Sequence, residues 1–348
     1  GIIPTHGVVP ACASFDAVSV LAADLQVAGA ATAAMAGPDS RDPRSRGWPA
    51  DVRLAAPAAP RVAIPQPEDL AALSDAYRVA FERSVAAAAE AGLRIEPVDI
   101  GVLLDAALLL YDGAFLAERY DAVGKFLETG PAGADPVVAS VITAGRAITG
   151  PAFAGDLNAL ARARADAARL LGGFDALLLP TTTEHPTLAE IRADPHPINR
   201  RMGTYTNFCN LLDMAAVAVP GAPTAAGGPF GVTVVVPAFA DQVAVDIAAR
   251  LCGTESPQVV GTGCELALFG LQGSMRRQLE ELGARRIGRV DATARGAPGD
   301  GELFRISEAG LGRLLASLPA PAFLTRVELD DGRRVAGFTA DGSHPDFR

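Results

Sequence analysis

Four groups of residues in this 348-residue chain have side chains that could carry a reaction, and three of them are poorly placed for it. His6, His185, His196 and His344 are scattered, and none has a partner at a spacing that would make it a general base. Cys12, Cys209, Cys252 and Cys264 lie far apart, with no CxxC pair and no histidine at ligand spacing. They read as buried thiols, not as a zinc site or a disulfide framework. The single lysine, Lys125 in "YDAVGKFLETG", follows Asp121 and Gly124 and precedes Glu128, the setting of an exposed side chain and not of a buried neutral base. The loop "TYTNFCN" offers more. Tyr205, Thr206 and Asn207 bring hydroxyl and amide groups just ahead of an apolar strand, where open α/β sheets place ligand-binding groups. The same groups could equally be consumed in side-chain to backbone hydrogen bonds that hold the loop.

A series of alternating elements must position these groups. "RVAIP" reads as a strand, Glu68 to Ala91 as a helix and "LRIEPVDI" as a second strand, and a long helical region runs on through about Phe126. "DPVVASVITAGRAI" and "DLNALARARADAARLL" are helical, "FDALLLPTT", "AAVAVPG" and "GVTVVVPAF" are short apolar strands, and "DQVAVDIAARL" is a helix. Strands apolar on both faces and separated by helices imply an α/β sheet covered on both sides. Ahead of it, "SFDAVSVLAADLQVAGAATAAMAG" has helical spacing, with Ser14 or Asp16 as cap and Gly37 as stop. "PDSRDPRSRGWPADVRLAAPAAP" reads as an exposed connection with solvated charges, and "HPTLAEIRADPHP" as a loop with a short helix. At "PQVVGTG", near residue 258, a second domain of about 90 residues opens. Within it "DATARGAPGDGELF" joins two strand-like stretches through a Gly-rich link.

The hydrophobic content of 49% supplies a sizeable core, and a formal net charge of -10 argues against a nucleic-acid or anionic-membrane surface. No apolar run reaches the length of a membrane span, so the cytoplasm is the expected location. The opening "GIIPTHGVVPACASFD" reads as the middle of a compact domain, and a preceding segment is expected.

"GVVPACASFD", "FDALLLPTT" and "GTYTNFCNLLDMAAVAVPG" followed by "GGPFGVTVVVPAFAD" together resemble the amidase signature family, hydrolases of carboxamides, and within it the allophanate hydrolases. The resemblance covers residues 1–258. Residues 259–348 resemble the small C-terminal domain of allophanate hydrolases, with "GELFRISEAGLGRLLASLPAP" the recognisable part. It implies an amidase-signature α/β fold, a mixed sheet covered by helices on both faces, N-terminally incomplete, with a small C-terminal α+β domain. It also implies that the Ser, cis-Ser and Lys of the reaction lie just upstream, so that the chain alone is inactive. The implied substrate is a small anionic amide, allophanate, cleaved to ammonia and carbon dioxide through an acyl-serine. No cofactor, metal, nucleic acid or membrane is expected, and a homodimer is.

Two residues of "LLLYDGAFLAERYDAVG" match family positions that grip the substrate's carboxylate, Tyr111 and Arg119. A guanidinium fits that task because its parallel N–H donors match two carboxylate oxygens. Without the resemblance, Arg119 reads as a surface helix residue and Tyr111 as a core aromatic. On one continuous helix, eight residues separate them by about 12 Å and about 80° of turn. A break at Asp112-Gly113 that folds Tyr111 back toward Arg119 is therefore expected. Tyr120 is left to packing. Some relatives are thought to use a histidine early in the C-terminal domain for a decarboxylation. The matching "LFGLQGSMRRQ" has none, Gln272 being nearest, so this domain reads as a dimerisation or covering element. Two alternatives stand beside this reading: an amidase of the same family acting on another carboxamide, and a non-catalytic scaffold.

Overall fold

The computed structural model describes residues 1–269, 273–291, 300–318 and 323–339. Gln272, His344 and the Gly-rich link at 292–299 lie outside the described residues. The chain forms two compact units: one from Gly1–Gly47 with Ala59–Pro257, the other from Trp48–Ala58 with the chain from Gln258 onward.

In the first unit, helix α1 (Leu25–Met35) is shorter than its apolar spacing suggests. Asp16 is spent on a turn, its carboxylate accepting the N–H groups of Ala11 and Cys12 at 2.9 Å, and the helix starts instead at the Asp24 cap. Strand β1 (Arg61–Pro65) follows, then a 3₁₀ turn (Pro67–Leu70) and helix α2 (Asp75–Glu90), capped by Ser74 and burying Tyr77, Ala80, Phe81, Ser84 and Ala88 at helical spacing. After β2 (Arg94–Val98) comes a broken helical stretch: α3 (Gly101–Leu108), α4 (Leu116–Arg119), a π turn (Tyr120–Gly124) and α5 (Lys125–Leu127). Then come α6 (Pro136–Ala144), a 3₁₀ turn (Gly145–Ala147) and α7 (Gly150–Leu171), capped by Thr149. Strand β3 (Ala176–Pro180), helices α8 (Leu188–Ala193), α9 (Pro195–Met202) and α10 (Phe208–Leu211), strands β4 (Met214–Pro220) and β5 (Gly231–Pro237), and helix α11 (Asp241–Cys252) complete the unit.

The strands form a mixed sheet in the order β2-β1-β3-β5-β4. Strand β1 is parallel to β2 and β3, whereas β5 is antiparallel to both β3 and β4, with Leu178 opposite Val234 and Val217 opposite the same valine. Central strands explain the unbroken apolar runs: every residue of β3 is buried, as are Val232–Val236 of β5. The flanking strands β2 and β4 are only partly buried, so the expectation of strands covered on both faces holds at the centre of the sheet and not at its edges. Among the described residues no single helix is long and apolar enough to cross a membrane. Only the bent pair Pro136–Ala147 and Gly150–Leu171, at 102°, passes by length and composition.

The second unit is a five-stranded sheet in the order β7-β8-β6-β10-β9, built from β6 (Cys264–Phe269), β7 (Arg285–Asp291), β8 (Asp300–Ile306), β9 (Phe323–Glu328) and β10 (Arg334–Thr339). Its helices are α12 (Gly273–Glu281) and α13 (Glu308–Ser317). Period-2 alternation sorts β6 into two cores: Leu266 and Leu268 pack with Leu279 and Leu314 of the helices, and Ala267 and Phe269 with Leu303, Val327 and Val335.

The reading of residues 38–60 as an exposed connection with solvated charges needs correction. Leu54 is fully buried in the second unit, its N–H donating to the Gly283 carbonyl at 2.9 Å. Arg53 donates to the carbonyls of Glu280 and Glu281 at the C-terminal end of α12, at 3.2 and 3.1 Å. Arg46, in the first unit, makes a two-pronged ion pair with Asp213 (2.7 and 2.8 Å) and lies 4.7 Å over the Phe239 ring. Asp213 and Phe239 both hold left-handed backbone, φ 54° and 68°, which these contacts help to stabilise.

Candidate functional site

Tyr111 and Arg119 meet because the chain between them is not one helix. The end of α3 tightens, with the N–H groups of Tyr111 and Asp112 both donating to the Leu108 carbonyl at 3.4 and 2.9 Å. Gly113 then passes so close to its neighbours that a Cβ there would stand 2.6 Å from the Leu109 carbonyl oxygen and 2.6 Å from Oδ2 of Asp156. The Asp112-Gly113 signal therefore marks a need for space at Gly113. Beyond it, the N–H of buried Ala114 donates to the Asp156 carboxylate on α7, and the chain enters α4 in a new direction. The break expected from the sequence is present.

Arg119, the last residue of α4, brings its guanidinium carbon to 4.6 Å from the centre of the Tyr111 ring, a cation–π contact. Its Nε is covered and has no acceptor among the described residues. A buried donor left unpaired costs about 1–3 kcal/mol. Tyr111 is 39% exposed, unusually open for a large aromatic.

The segment that carries Arg119 is held on both sides. Directly after it the helix widens into the π turn, a feature that recurs at functional sites. The Tyr120 ring covers Gly124, where a Cβ would stand 2.2 Å from it, and the Tyr120 hydroxyl donates to Oε1 of Glu128 at 3.0 Å. Arg146 pairs with the same carboxylate oxygen at 3.1 Å. On the other side, Oε2 of Glu118 accepts from the Ser14 N–H at 2.8 Å and from the Cys12 thiol at 3.7 Å. Phe115 packs edge-on against Phe15 at 4.9 Å and Phe153 at 5.7 Å. Burial, and then the Glu118 charge, push the Cys12 thiol up to about 12, so it remains protonated at neutral pH and is no nucleophile.

The "TYTNFCN" loop is placed otherwise. Tyr205 is fully buried and its hydroxyl donates to the Asp69 carbonyl at 3.0 Å. Burial pushes that hydroxyl up to about 12. Of the two roles the sequence left open for this hydroxyl, the hydrogen bond to Asp69 is the loop-holding one. Thr206 donates through its N–H (3.0 Å) and its hydroxyl (3.5 Å) to the Gly203 carbonyl, and Asn207 packs into the space that a Gly203 side chain would need. No hydrogen bond, ion pair or ring contact joins Tyr205, Thr206 or Asn207 to Tyr111 or Arg119 among the described residues. Asn210, which the sequence did not single out, ties this loop to the opening stretch by donating to the Phe15 carbonyl at 2.7 Å. His6, His185, His196 and Lys125 are exposed, and among the described residues no group of His, Cys, Asp and Glu could hold a metal ion.

Sequence reasoning also passed over Asp156 and Arg200. Arg200 of α9 forms an ion pair with Asp112, so the turn carrying Tyr111 is gripped from two helices. Neither residue belongs to a recognisable motif, and both act across long stretches of chain.

The mixed sheet has the strand order β2-β1-β3-β5-β4, and residues 1–245 match the family model described as Amidase. The chain belongs to the amidase family. Residues 272–345 match a second model, the allophanate hydrolase C-terminal domain. The chain is 35% identical over 262 residues to the urea amidolyase of Lachancea kluyveri and 32% identical over 258 residues to that of Saccharomyces cerevisiae. These matches take in 74% and 72% of this chain and 14% of each relative. Among solved structures, Kluyveromyces lactis allophanate hydrolase matches with a TM-score of 0.83 and 28% identity, covering 97% of this chain and 64% of that one. Kluyveromyces lactis urea amidolyase matches with a TM-score of 0.84 and 28% identity, covering 97% of this chain and 24% of that one. The chain thus spans less than two thirds of the length of each of these relatives.

Proposed function

We propose that this chain is the substrate-holding part of an allophanate hydrolase, with Arg119 and Tyr111 gripping the carboxylate of allophanate. The observation that carries the reading is the Arg119 guanidinium stacked on the partly exposed Tyr111 ring. The two terminal nitrogens of that guanidinium can offer parallel donors to a carboxylate, while the ring covers one face and keeps water from it. Fixing one end of so small a molecule also fixes the amide at the other end against the attacking group, which is how orientation lowers a barrier. In the reaction, the carbon–nitrogen bond breaks, ammonia leaves with a proton, and the acyl carbon passes to a serine oxygen and then to water. The remaining carboxylated fragments decompose to ammonia and carbon dioxide. The serine and its lysine relay come from residues outside this sequence, a reading supported by the exposed setting of Lys125, the sequence's single lysine.

The test is ammonia release by the complete protein from allophanate and from biuret, in which a neutral carboxamide replaces the carboxylate. Allophanate is expected to be preferred in kcat/KM by roughly 30-fold to 1,000-fold, the value of a charge-assisted pair in a water-poor site. Equal rates would instead support an amidase of neutral carboxamides.

A further inference from the structure

We propose that Asp156 and Arg200 are positioning residues that set the turn on which Tyr111 is carried, and so determine selectivity for an anionic substrate. The inference rests on the Tyr111–Arg119 reading above and extends it to groups that do not touch the substrate. Ala114 is 4% exposed, and its N–H lies in the reversal between α3 and α4, where no helical carbonyl reaches it. Asp156 supplies the acceptor. Its carboxylate also fills the space beside Gly113, so the turn can neither open toward α7 nor close further. Arg200, on α9, pairs with Asp112, the residue directly after Tyr111.

Arg200 is presented from an anchored helix end. The carbonyl of Met202 accepts the Thr182 hydroxyl at 3.1 Å, that of Arg201 accepts the Thr183 hydroxyl at 3.3 Å, and Arg201 pairs with Glu184. Both threonines lie within three residues of the end of β3, so the brace is referred to the central strand of the sheet. A surface ion pair contributes little to stability, which leaves orientation as the effect the Asp112–Arg200 pair can exert. A carboxylate site tolerates little displacement, and a tyrosine ring shifted by about 1 Å would weaken its contact with the guanidinium and change the outline of the site.

The experiment measures kcat and KM for allophanate and biuret in the complete protein and in Asp156→Ala, Asp156→Asn, Arg200→Ala and Arg119→Ala, with melting temperature alongside. Asp156→Ala is expected to lower the allophanate-to-biuret ratio by about 10-fold to 100-fold, chiefly through KM for allophanate. Asp156→Asn keeps an oxygen acceptor of the same reach and is expected to restore the ratio to within about threefold of the unsubstituted protein. Arg200→Ala, at an exposed pair where folding is not at risk, is expected to lower the ratio about threefold to tenfold. If Arg119→Ala lowers the ratio and both Asp156→Ala and Arg200→Ala leave it unchanged, the positioning role is overturned while the carboxylate grip stands. Equal losses on both substrates in Asp156→Ala, tracking the melting temperature, also overturn it. If Asp156→Ala does not fold, an unchanged ratio in Arg200→Ala decides against the brace. An unchanged ratio in Arg119→Ala itself removes the parent reading instead.

Discussion

Arg119→Lys is expected to fail on allophanate nearly as badly as Arg119→Ala. Lysine keeps the positive charge but presents a single ammonium, so it can neither offer two parallel donors nor lay a flat cation on the Tyr111 ring, which sits 4.6 Å from the guanidinium carbon. Losing a charge-assisted, two-pronged contact costs on the order of 2–4 kcal/mol, or roughly 30-fold to 1,000-fold in kcat/KM. Biuret has no carboxylate to hold, so its slow turnover should change by less than about threefold in either variant. A packing role for Arg119 would depress both substrates together and lower the melting temperature. Near-unsubstituted activity on allophanate in the lysine variant would remove Arg119 from the site.

The second large effect is expected at Gly145. A Cβ there would stand 2.2 Å from the Leu116 carbonyl oxygen, 2.8 Å from its carbon and 3.0 Å from Cβ of Tyr120. The first two are backbone atoms of α4, so relief requires the helix that ends in Arg119 to move. Overpacking of this kind costs about 1–3 kcal/mol and more where backbone must shift. Gly145→Ala is accordingly expected to destabilise by about 3 kcal/mol, lowering the melting temperature by roughly 6–12 °C in a domain of this size. Turnover of allophanate should fall with it as Arg119 is displaced. Gly155 is the control, because it lies inside α7 and a Cβ added there would meet nothing within 4 Å. Gly155→Ala should gain up to about 1 kcal/mol through helix propensity alone. A thermal scan showing Gly145→Ala within a degree of the unsubstituted protein would mean that α4 and the Gly145 turn are not packed as described.

These effects also show where the sequence was legible. Strands β3 and β5 declare themselves because central strands bury both faces, and their apolar runs need no partner to be recognised. The reversal after Tyr111 was readable from Asp112-Gly113, although the reason for the glycine, a close approach to Leu109 and Asp156, was not. The helix before residue 37 was overextended because periodicity cannot tell that Asp16 is already consumed by the N–H groups of Ala11 and Cys12. Residues 48–58 were misread for a similar reason: Val52 and Leu54 sit among prolines, alanines and charges, and only a partner more than two hundred residues away, the Gly283 carbonyl, makes a buried strap of them. Tyr205 could be read either as a ligand group or as a loop-holding one, because a hydroxyl on a loop carries no mark of whether a backbone carbonyl has taken it. Asp156 and Arg200 had no local signature, since a positioning contact is defined by the fold that brings it together.

The Tyr111–Arg119 grip is tested most directly by a structure of the complete protein, its nucleophile removed, with allophanate bound. Both carboxylate oxygens are expected within about 3.2 Å of the terminal nitrogens of Arg119, with the Tyr111 ring still against the guanidinium face. A carboxylate that faces solvent or another cation, with the Arg119 guanidinium more than about 5 Å away and so beyond any direct hydrogen bond, would contradict it.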